Sequence, residues 1–132
     1  MARSFVISEQ SGAAAFVTAV NALLALLTDP TIVGVSYNVD ERQRRNQRQY
    51  SCVISYDTGG ASLATPFLIN VIEANTPAAL ATALAAFVAA NPAAFIAHTE
   101  YKFEYTGSRD PKYIAITIYN ATAGADANYI PL

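Results

Sequence analysis

The chain has 132 residues, a formal net charge of -2, 53% hydrophobic side chains and only 14% charged ones. This balance excludes intrinsic disorder, which requires low hydrophobicity with high charge, and a net field that would recruit nucleic acid or acidic lipid. A single cysteine excludes an intramolecular disulfide and a Cys-rich zinc site, so one domain over residues 1–132 is expected to rest on its apolar core alone.

Ser4 to Glu9 reads as a strand. Glu9, Gln10 and Ser11 separate Arg3 from the next apolar run, which a signal peptide would join directly. Ser11-Gly12 opens a helix in which Phe16, Val17, Val20, Leu23, Leu24 and Leu27 recur at helical spacing. Asp29-Pro30 ends it, because proline disfavours helix at the residue before it. Val33, Val35, Tyr37 and Val39 alternate along a second strand, and Tyr50 to Asp57 returns as a third; Asp57-Thr58-Gly59-Gly60 is a linker. A fourth strand starts at Phe67. Thr76-Pro77 then opens a second helix as N-cap and first-position proline, with Leu80, Leu84, Phe87 and Val88 as its apolar stripe and Asn91-Pro92 as its stop. Phe95 to Tyr105 and Tyr113 to Asn120 form a hairpin around the turn-rich stretch from Thr106 to Pro111. Residues 121–132, rich in Ala, Gly, Asn and Pro, read as a loosely held tail. Neither apolar run supplies the roughly 20 strongly apolar residues that a membrane span needs. The expected location is soluble and non-exported, cytoplasmic or virion-associated, with no membrane partner.

The same order of elements occurs twice. Tyr50-Ser51-Cys52-Val53-Ile54-Ser55-Tyr56 is answered by Tyr113-Ile114-Ala115-Ile116-Thr117-Ile118-Tyr119, Phe5-Val6-Ile7-Ser8 by Phe67-Leu68-Ile69-Asn70, and Asp29-Pro30 by Asn91-Pro92. Two tandem duplicated βαββ units, at about 4–58 and 63–120, predict an α+β domain. The expected architecture is a mainly antiparallel six-stranded sheet with two helices packed on one face.

Both helices lack charge: neither Ser11 to Thr28 nor Thr76 to Asn91 contains Asp, Glu, Lys or Arg. A helix on a sheet normally solvates its outer stripe with charge. Here that stripe is Ala15, Thr18, Ala22 and Ala25 in the first helix and Ala79, Thr82, Ala86 and Ala89 in the second. Such a surface is expected to be covered by another protein layer, most simply a second copy in a homo-oligomer.

Arg42, Arg44, Arg45 and Arg48 place half of the eight basic residues in one hairpin connection. Arginine forks bind phosphate bidentately, and Tyr37 and Tyr50 flank the segment as stacking platforms, so a nucleic-acid or polyanion-binding tip is an alternative role. The more economical reading is a solvated loop partly neutralised by Asp40 and Glu41. His98, Glu100, Lys102 and Glu104 share one side of a strand, but no further group completes an acid–base or metal site, and a wet sheet face with charge pairs is expected. Tyr101, Phe103, Tyr105, Tyr113 and Tyr119 are expected to pack against the helices, and Cys52 to be a buried small hydrophobe. A third alternative is a ligand-binding protein or enzyme with a pocket between units or subunits. The leading expectation is a small non-enzymatic structural or interaction subunit, with no cofactor and no catalytic or metal-ligating residue.

Overall fold

A computed structural model describes residues 3–42, 47–106 and 110–132, with side chains described outside 41–47 and 105–111. The elements in chain order are β1 (Arg3–Ser11), α1 (Ala13–Ala25), β2 (Thr31–Arg42), β3 (Gln47–Asp57), β4 (Phe67–Ala74), α2 (Pro77–Ala90), β5 (Phe95–Thr106), β6 (Asp110–Asn120) and a 3-10 helix (Ala123–Asn128). The fold is α+β, with the βαββ order present in both halves. Local chemistry starts each helix where expected. Gly12 caps α1 at φ 90, a left-handed conformation that side-chain-bearing residues rarely adopt. The Thr76 hydroxyl accepts the Ala79 backbone N–H at 3.1 Å at the start of α2, with Pro77 beside it.

The six strands form two antiparallel sheets of three, ordered β1-β3-β2 and β4-β6-β5, in place of the single six-stranded sheet expected. The last strand of each unit lies at its centre, so β1 and β4 are edges. The sheets approach each other along β2 and β5 without forming a ladder there.

The helices lie on different faces, which also departs from expectation. Phe16, Val20 and Leu24 of α1 pack on the face of the first sheet that carries Val6, Cys52 and Ile54, and the Phe16 ring stacks on Tyr50 at 5.6 Å. The same core includes Phe67, Ile69, Ile114, Ile116 and Ile118 of the second sheet. Helix α1 therefore touches both β1 and β4 and closes the wedge between the sheets. Asn21 completes the contact at the open edge of β4. Its side-chain oxygen accepts the Ile69 N–H at 2.8 Å, and its amide donates to the Ile69 carbonyl at 3.5 Å. Helix α2 packs on the opposite side of the second sheet, through Leu80 and Leu84 against Ile72, Ala74, Tyr113 and Ala115, with Phe87 edge-on to Tyr119 at 5.0 Å. Both faces of β6 are thus covered, and alternation alone could not assign one of them to water.

The tail is held, against expectation. The Ile130 and Leu132 N–H groups donate to the Ile32 and Val33 carbonyls at 2.8 and 3.0 Å. Buried Asn128 donates to the carbonyls of Pro30 and Ala61, at 3.1 and 2.8 Å, tying the end of one helix–strand turn to the inter-unit linker. Gly60 lies against this clamp, where a Cβ would come within 2.5 Å of the Thr31 hydroxyl and 2.9 Å of the Asn128 amide.

Candidate functional site

All eight small residues of the charge-free stripes are exposed: Ala15, Thr18, Ala22 and Ala25 on α1, and Ala79, Thr82, Ala86 and Ala89 on α2. They follow from the opposite phase of the buried residues, since Phe16, Val20 and Leu24 occupy the other side of α1 and Leu80 that of α2. The two helices differ in how much else is covered. In α1 Val17 also packs against the core, as does Leu27 just beyond the helix, whereas in α2 Ala81, Ala85 and Val88 are exposed.

A second open surface escaped the sequence reading. On the first sheet, the face opposite α1 carries Phe5 and Ile7 of β1 and Val53 of β3, all exposed. The small residues Ser36 and Ser51 between them keep its floor low. A shallow depression of about 190 Å³ results, lined by Ile7, Glu9, Ser36, Asn38, Ser51 and Val53 among others. Arg3 and Asp57, joined by two hydrogen bonds of 3.1 and 3.2 Å, form a charged margin. The guanidinium's hydrogen bond holds the Asp57 carboxyl below its ordinary range. The signal for this face was present in Phe5-Val6-Ile7, whose apolar residues fall on both sides of one strand. On the second sheet, Tyr101 and Phe103 are exposed rather than packed beneath α2, because that helix covers β4 and β6 but not the β5 margin.

The arginine segment is divided. Arg44 and Arg45, with the side chain of Arg42, lie outside the described residues. Arg48 points inward: its side chain is 11% exposed and its guanidinium stands 3.5 Å from Glu73 of β4. The Tyr50 hydroxyl donates to the same carboxylate. Desolvation and the neighbouring Glu73 push the Tyr50 phenol's ionisation upward. Arg48 thus joins the two units internally.

His98, Glu100 and Lys102 lie on the same side of the second sheet as Ile114, Ile116 and Ile118, with side chains that are 43%, 25% and 32% exposed. Glu100 is 3.0 Å from the Lys102 ammonium and 3.6 Å from the His98 ring. Among the described residues, no group of three or more His, Cys, Asp or Glu is placed to hold a metal ion. Burial pushes the Cys52 thiol up to about 11, as befits a small buried hydrophobe. The Tyr37 hydroxyl is also buried, with no hydrogen-bond partner among the described residues. Among those residues, no helix is long and apolar enough to cross a membrane.

No protein-family model, curated protein or solved structure matches the chain.

Proposed function

We propose that this protein is a self-associating structural subunit whose charge-free helices form contacts between copies. The reading is carried by one observation: the outer stripes of α1 and α2 are exposed over their full length and hold only Ala and Thr at the eight positions named above. Small apolar residues lose little hydration when covered and permit close backbone approach, whereas their exposure adds to an already charge-poor surface. The exposed Phe5, Ile7, Val53, Val88 and Tyr101 enlarge that surface. A chemical role has less support, since the space between the two units is filled by Phe16, Tyr50, Ile54, Phe67 and Ile69.

Light scattering on a sizing column tests the proposal. A stable multiple of 14.0 kDa at both low and high salt is expected, because burial of uncharged surface is insensitive to screening. A monomer across the micromolar range at both salts would overturn it.

A further inference from the structure

We propose that copies of this chain join head to tail, the bare face of the first sheet in one copy docking on the α2 side of the second sheet in the next. The inference rests on the self-association proposed above but moves the contact off the outer stripes: α1 is left free, and α2 meets a sheet face through its Ala81, Ala85 and Val88 side.

The template is the contact between the two units within one chain. Strand register aligns their positions. Ile7 pairs with Val53 in the first sheet, as Val71 pairs with Ile116 in the second. Tyr37 pairs with Cys52, as Tyr101 pairs with Ala115. Counted from the caps Gly12 and Thr76, Leu24 of α1 corresponds to Val88 of α2, and Asn21 to Ala85.

Inside the chain, the helix-free face of the second unit is packed on the helix-bearing face of the first. That contact buries Ile116 from one side and Tyr37 and Leu24 from the other. Among the described residues, it leaves two surfaces without a mate: the helix-free face of the first unit and the helix-bearing face of the second. These carry the counterparts of the buried residues, and the counterparts are open. Tyr37 is 3% exposed but Tyr101 56%; Leu24 is 1% exposed but Val88 51%; and Ile7 is 66% exposed where Val71 packs against the core. Each chain therefore ends in two different open surfaces at the places corresponding to the joined ones, the sheet face being the less apolar because Ser51 and Ser55 stand where Ile114 and Ile118 do. The depression around Ile7 and Val53 supplies a concave seat on one, and the Ala81, Ala85 and Val88 side of α2 a low ridge on the other. A contact between unlike surfaces is heterologous, so repetition yields a closed ring or a filament.

Two exposed-site variants test this, each blocking one half-interface: Ile7→Arg on the sheet face and Val88→Arg on α2. Each alone is expected to be monomeric yet folded, with a cooperative thermal transition whose midpoint no longer depends on protein concentration. Mixed, they should form a one-to-one dimer of twice 14.0 kDa, because each retains the half-interface that the other lacks. A mixture that stays monomeric overturns the proposal, as does an arginine variant that still assembles like the wild type. In that second case self-association stands and only the mode fails, whereas a monomeric wild type removes both. Should either arginine unfold the chain, single cysteines at Ile7 and Val88 provide a second measurement. Mixed Ile7→Cys and Val88→Cys chains should cross-link to each other on mild oxidation, ahead of either variant with itself. Preferential Val88→Cys homodimers would instead indicate a symmetric helix-to-helix contact and overturn the head-to-tail mode.

Discussion

Glu73 is the residue on which the two units depend electrostatically. Its carboxylate accepts the Tyr50 hydroxyl and faces the Arg48 guanidinium, so one β4 side chain engages two groups of β3. Removing different parts of this trio has unequal costs. Tyr50→Phe deletes a hydroxyl but leaves Glu73 paired and in reach of water, a loss of about 1 kcal/mol. Glu73→Ala strands a nearly buried cation together with a buried hydroxyl, for about 2–3 kcal/mol, below the range for a fully buried pair because the carboxylate is partly solvated. Urea midpoints of the two variants check this order. Equal losses would mean that the arginine finds another partner. None of this was readable from the sequence. Arg48 stands among other arginines in a polar stretch, and nothing local says that its side chain turns inward while Glu73 approaches from another unit.

At the scale of elements, caps and stops were the readable part. Thr76-Pro77 and Asn91-Pro92 bound α2 because each acts through its immediate backbone, and Gly12 opens α1 by the same local logic. Helix α2 rests on one sheet face only, with Leu80 its single buried residue, so its own cap matters more than in the clamped α1. Thr76→Ala should destabilise the protein by about 1 kcal/mol and speed amide exchange in the first turn of α2. Exchange in α1 should not change; equal acceleration in both helices would show that the cap stabilises something other than α2. Strand positions were readable for the same reason as the caps, since alternation is local. Which face becomes the core was not. In β6, Ile114, Ile116 and Ile118 face the other unit while Tyr113, Ala115 and Tyr119 face α2, and a strand covered on both sides shows no wet face to read. The tail failed for a different reason. Its Ala, Gly and Asn look like loop chemistry until Asn128 meets two carbonyls from far along the chain.

At the scale of the whole molecule, two sheets replace one because β2 and β5 meet side by side without pairing, leaving α1 to close the wedge from the opposite side. The pattern of apolar residues could not choose between these arrangements, since β6 is apolar on both sides and so marks neither as the open one. The proposed assembly belongs to this scale too, because its half-interfaces become visible only when one unit is laid over the other. The strand order has a further consequence, for the speed at which the chain finds its fold. Each sheet combines a local hairpin, β2 with β3 or β5 with β6, with an outer strand that precedes it across a helix. Arg3 meets Asp57 and Asn128 meets Pro30, separations of 54 and 98 residues. Closing such loops costs entropy before the distant contacts offset it. Refolding after dilution from denaturant should therefore take milliseconds to seconds, as expected for non-local topologies. Pulse-labelled exchange should protect β3 and β6 opposite their hairpin partners before it protects β1 and β4. Until those outer strands arrive, the surfaces proposed to join copies stay incomplete, so the proposed assembly would have to wait for folding.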